Sequence, residues 1–211
     1  MKTDDLIRAL ANDVTPRRPM KRILLSGLFP ALCVAALAVW MVLGFRADLS
    51  ASVFNPLSVV RFVLAGALAL TGSRIALILA RPEGPSLVRL WPLAVIGAVA
   101  LGLLVWAYIA TPSDARQMAL VGKTMTTCLL AIPLLAILPV ASILFMLRQG
   151  ATTAPVAASA VAGLAGGGAA AAIYALHCTE DSPLFYVTWY GLAIMGVMLA
   201  SALIGPRILR W

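Results

Sequence analysis

The sequence predicts an all-α integral membrane protein of six transmembrane helices, preceded by a short cytoplasmic amphipathic helix. Three observations carry that reading. Of the 211 residues, 62% are hydrophobic and 11% charged, with a mean hydropathy of +1.00, whereas a soluble domain has roughly 45–50% and about 25%. The apolar residues gather in six runs, each close to the roughly 20 residues a helix needs to cross a bilayer. No Asp or Glu lies inside any run.

The first 22 residues are polar and form a cytoplasmic N-terminal segment; residues 23–211 form the six-helix domain. Within the segment, Thr3 suits an N-cap, Asp4 and Asp5 suit the positive end of a helix dipole, and Leu6, Ile7, Leu10 and Val14 recur on one helical face before Pro16 stops the pattern. A helix this short is marginal alone in water. Its apolar stripe therefore needs a protein partner or the membrane surface to pack on, and the acids disfavour lipid.

The runs span roughly Ile23–Leu43, Val59–Leu79, Leu90–Ile109, Met125–Leu147, Val156–Leu176 and Phe185–Ile204. The first exceeds the ~7–15 residue core of a cleaved signal and follows a long polar lead, so it reads as a retained anchor. Six spans return the chain to its starting side. Of the 16 Lys and Arg residues, all but Arg46, Arg61, Arg116 and Lys123 fall on the N-terminal side. The positive-inside rule then places both termini of this multi-pass chain in the cytoplasm. The net charge of +8 follows from those basic loops and anionic lipid, not from direct nucleic acid binding.

Arg61 and Arg74 lie near opposite ends of the second run, where long side chains snorkel to the interfaces, and Arg74, about one turn inside, is also placed to pair with a carboxylate or backbone carbonyl of the bundle. Pro133 and Pro139 bend the fourth, and Gly163 with Gly167 gives the fifth a small-residue face for close helix approach. The missing intramembrane carboxylate argues against an ion-coupled transporter. The lack of a C-x-x-C pair argues against a membrane thiol oxidoreductase, which with a small transporter is the alternative function class. No phosphate-loop, zinc-protease or serine-hydrolase motif is present, so the chain does not read as an enzyme.

Chemistry concentrates in the exit of the fifth span, His177-Cys178-Thr179-Glu180-Asp181-Ser182-Pro183, followed by Phe185, Tyr186, Trp189 and Tyr190. Asp181 or Ser182 suits the N-cap of the sixth span with Pro183 in its first turn, and the aromatic residues suit an interfacial belt. Cys128, just inside the fourth span, lies at the same membrane face as Cys178, and the short link at 149–154 makes the fourth and fifth spans a hairpin. Two chemistries are open to this pair. They can form a disulfide if close enough, or share a transient soft metal ion with His177, Glu180 or Asp181 completing the shell. No resident cofactor is required. Cys33, in mid-span, is a packing residue.

On the opening MKTDDLIRALANDVTPRRP, the Cys128 region and the HCTEDSPLFYVTWYG block, the chain resembles the NrsF-like membrane anti-sigma factors along its whole length. The resemblance implies that the N-terminal segment holds a sigma factor of the extracytoplasmic-function (ECF) class. Leu6, Ile7 and Leu10 would face the partner, with Asp4, Asp5 and Arg8 at the rim. It also implies that Cys128 and Cys178, on the periplasmic side, respond to metal or oxidative stress. Which cation or oxidant acts, and whether His177, Glu180 and Asp181 are ligands, does not follow from it.

Overall fold

The structure is a computed structural model that describes Thr3, residues 19–83 and residues 90–209. The N-terminal residues Asp4, Asp5, Leu6, Ile7, Arg8 and Leu10 lie outside the described residues. Among the described residues every regular element is helical. The long helices are α1 (Met20–Ala38, continued by a π-helical turn, Val39–Leu43), α3 (Pro56–Leu79), α4 (Trp91–Ala110), α6 (Met125–Arg148), α7 (Pro155–Tyr174) and α8 (Pro183–Ile208), with short helices α2 (Leu49–Ser52) and α5 (Arg116–Val121) in two of the connections. The six long helices are apolar enough to cross a membrane, and they fall on the six apolar runs.

Local chemistry sets the helix starts. Proline occupies the first turn of α3, α4, α7 and α8, where its missing N–H would have had no helical partner. Ahead of α3, the Asn55 side chain accepts a hydrogen bond from the Leu57 N–H at 3.0 Å, which satisfies one of the orphan donors.

The fifth span, α7, is the centre of the bundle and packs against α3, α6 and α8. Its glycines make this close approach steric. A Cβ on Gly163 would fall 2.7 Å from the Met198 Cα of α8, one on Gly166 would fall 2.9 Å from the Val140 nitrogen of α6, and one on Gly168 would fall 3.0 Å from the Ala65 oxygen of α3. Gly163 and Gly167 face α8 together, as the small-residue spacing predicts. Gly166 and Gly168 extend the same device to two more neighbours. The α6–α7 hairpin forms as expected, α1 lies against α6, and α4 sits at the periphery on α3 and α8.

The outside of the bundle is apolar. Phe29, Leu70, Ile109, Leu134 and Leu203 are all exposed, which carries no cost against lipid tails. Arg74 and Cys33 also point outward. The buried charged residues, Arg46 and Arg61, lie instead at the end of the bundle away from Met20, hereafter the distal end.

Candidate functional site at the distal end of the bundle

The segment between α7 and α8 is held by residues from three other parts of the chain. From the first connection, the Arg46 N–H donates to the Leu176 carbonyl at 3.0 Å, and the His177 Nδ1 lies 2.9 Å from the Gly44 carbonyl. Gly44 ends the π-helical turn with φ +76°, a left-handed geometry that favours glycine. It sends the chain back over the bundle and carries Arg46 inward.

Two arginines then close on the segment. The Arg46 guanidinium meets the Asp181 carboxylate through two parallel bonds of 2.9 and 3.0 Å, and meets Asp48 through bonds of 2.7 and 2.8 Å. Arg61, from α3, donates to the Glu180 carbonyl at 2.8 Å and lies 3.3 Å from the Asp181 carboxylate. Both arginines reach the Cys178 carbonyl oxygen, each at 3.2 Å. The Ser58 hydroxyl also donates to Asp181.

The charges reinforce one another. The hydrogen bonds it donates to Asp48, then to Asp181, hold the Arg46 guanidinium in its charged form well above its ordinary range. Arg46 in turn pulls the Asp48 carboxyl down to about 2. For Asp181 burial works to raise the value, but the hydrogen bonds from Arg46 and Ser58 outweigh it, and the carboxyl stays below its ordinary range.

Two expectations need correcting here. Arg61 does not snorkel to an interface: it is 1% exposed and turned into the bundle, because the α7–α8 segment offers carbonyls and a carboxylate there. Of the two residues suited to cap the last span, Ser182 holds the N-cap position, without a side-chain hydrogen bond, and Pro183 opens α8 as expected. The aromatic belt is largely internal as well, since Phe185, Tyr186 and Tyr190 are buried. Of the four, Trp189 alone is partly exposed, and its indole N–H donates to the Leu120 carbonyl at 2.7 Å.

Beneath the segment lie the thiols. Cys128 is one turn into α6, its N–H bonded to the Thr124 carbonyl at 2.9 Å, and the Thr124 hydroxyl lies 3.7 Å from the Cys178 sulfur. Both cysteines are free and fully buried, in one cluster with Tyr174, Phe185, Tyr186 and Tyr190. The Tyr174 ring sits 5.8 Å from the His177 ring and edge-on to Tyr190 at 5.7 Å.

The remaining candidate ligands are engaged elsewhere. Glu180 accepts from the Lys123 N–H at 2.8 Å, a contact made possible by Gly122, whose φ of +57° turns α5 into α6. His177 binds Gly44 and Asp181 binds the arginines. Among the described residues no group of three or more His, Cys, Asp or Glu side chains is placed to hold a metal ion. In this state the cluster offers two soft donors only.

The sequence reading did not assign Gly44, Arg46, Ser58, Thr124 or Tyr174 to this site. Arg61 carried a readable signal, because an arginine inside an apolar run needs a partner in the bundle.

Similarity to known proteins runs along the chain. The family described as "NrsF: Negative regulator of sigma F" matches residues 10–211. The chain is 34% identical over 220 aligned positions to "Anti-sigma-F factor NrsF" of Caulobacter vibrioides, and 32% identical over 220 positions to "Probable anti-sigma-F factor NrsF" of Azospira oryzae. Both alignments cover all of each chain. No solved structure gives a significant match.

Proposed function

This chain belongs to the NrsF family of negative regulators of sigma F, and from that membership we propose a stress-releasable anti-sigma factor of the bacterial inner membrane. The anti-sigma role is regulatory, not enzymatic. In our reading the partner is an ECF sigma factor held on the cytoplasmic side by the N-terminal segment, with Leu6, Ile7 and Leu10 buried against it and Asp4, Asp5 and Arg8 around them. The distal end faces the periplasm. Cys128 and Cys178 receive the signal there, either by losing two protons and two electrons to an oxidant as a disulfide forms, or by releasing their protons to solvent as the two thiolates bind a soft metal cation.

One observation supports the sensor reading above others. Two thiols 50 positions apart in the chain share one buried cluster at the end of the bundle where the buried charges also gather. For near-complete release the two states must differ in sigma affinity by about 10⁴-fold, or about 5.5 kcal/mol. Two or three apolar side chains at ~1.5–3 kcal/mol each can supply that.

The test of the holding surface is recovery of a sigma factor with the full-length protein extracted from unstressed membranes in detergent. Wild type should bring the sigma factor down, and Leu6→Asp or Leu10→Asp should lose it. Equal recovery with both variants would remove the N-terminal segment from the role.

A further inference from the structure

The α7–α8 segment is bound to the distal end of α1 more tightly than chain connectivity requires. Residues 44–46 contribute the Gly44 carbonyl to His177, the Arg46 N–H to Leu176, and the Arg46 guanidinium to the Cys178 carbonyl and the Asp181 carboxylate. Every one of these contacts lies within three residues of Cys178. At its other end α1 begins at Met20, within the last residues of the N-terminal segment. Together α1 and its π-helical turn form a 24-residue rod, about 36 Å long at ~1.5 Å per residue. It runs from the thiol site to the base of that segment.

We propose that Arg46 and Asp181 form a latch joining the Cys178 segment to α1, so that displacement of Cys178 opens the latch and moves α1 and the N-terminal segment with it. The inference rests on the reading that Cys178 receives the signal and the N-terminal segment holds the sigma factor. Its physical basis is the shared carbonyl of Cys178. A bond formed at the Cys178 sulfur cannot turn that residue without withdrawing its carbonyl from Arg46 and Arg61, and Asp181 follows three residues on. Bidentate arginine–carboxylate pairing is strongly directional, so a small rotation disengages it. Packed helices respond to such a change by moving between discrete arrangements, not by continuous bending. Arg46 and Asp181 are positioning residues in this scheme, because neither touches the sigma factor or the incoming oxidant or metal.

The structure, with both thiols free, is the latched state. Opening the latch by mutation should therefore mimic the signal. Asp181→Asn and Arg46→Gln, each in the full-length chain in cells carrying its sigma factor, should raise unstressed sigma-dependent transcription about tenfold, equivalent to about 1.4 kcal/mol of lost holding. The rise should persist when Cys128→Ser and Cys178→Ser are added, since the latch acts after the thiols. Membrane abundance of each variant is measured alongside, and Asp181→Glu, which retains the charge, should recover much of the repression. Wild-type repression and induction in both first variants at wild-type abundance would overturn the proposal. Should neither accumulate, Ser58→Ala removes one hydrogen bond from Asp181 and leaves both arginines. It should give a rise of about two- to threefold, and its absence at normal abundance would equally overturn the latch. The thiol reading fails separately: it falls if the double serine variant stays inducible, whereas an uninducible double serine with fully repressing latch variants removes the latch alone.

Discussion

Arg46 and Asp181 meet through two parallel hydrogen bonds of 2.9 and 3.0 Å across 135 residues of chain. This contact, with Arg61 behind it, turns a short connection between two membrane helices into the most heavily bonded part of the described bundle. Removing one partner of such a pair is costly because the other charge stays buried. Asp181→Ala leaves Arg61 with carbonyl oxygens alone. With the Asp181 side chain 21% exposed, the loss should fall below the ~3–5 kcal/mol of a fully buried pair, at about 2 kcal/mol. Asp48→Asn, at the exposed side of Arg46, should shift the unfolding midpoint of the detergent-solubilised protein much less. Thermal melts of the two variants check the order.

Acid should weaken the same region. The Asp48 carboxyl is held at about 2 by its bond to Arg46, and Asp181 is also held below its ordinary range because its bonds to Arg46 and Ser58 outweigh burial. Both are depressed in the folded state, so the stability they contribute is fully present above the ordinary carboxyl value near 4 and is lost as pH falls from there toward 2. Melting temperatures recorded from pH 6 to pH 2 should decline across that window, with a shallower decline in Asp181→Asn. An unchanged slope in the variant would contradict the assignment.

The central helix gives a steric prediction. Gly163→Ala places a methyl against α8 backbone and should destabilise by about 1–3 kcal/mol, since the nearest atoms are the Met198 Cα and the Val197 oxygen. Gly97→Ala on the peripheral α4 meets nothing within 4 Å and should be neutral or slightly stabilising, because alanine is the better helix former. Thermal aggregation of the two variants in one detergent separates them.

Much of this arrangement was legible in the sequence. Run length and composition marked the six spans because a bilayer demands about 20 apolar residues per helix. Gly163 and Gly167 were readable as a packing face from their spacing alone. Arg61 was misassigned because snorkelling is a local behaviour that an arginine satisfies along its own helix, whereas its actual partners come from a segment more than 100 residues away. No periodicity records that convergence. The short α2 and α5 helices were too brief to leave a pattern. Cys128 and Cys178 were recognisable as a pair only after the hairpin of α6 and α7 was inferred.

Release of a sigma factor from an immobilised complex measures directly whether the two thiols govern it. Full-length protein is captured in detergent with its sigma factor and exposed to a thiol oxidant or to a soft metal such as cadmium, and the sigma factor in the eluate is quantified. Wild type should release most of it with at least one of the two agents, Cys33→Ser should do the same because Cys33 points outward, and the Cys128→Ser, Cys178→Ser double variant should retain it. Equal release from the double variant, or retention by wild type under both agents, would contradict the account.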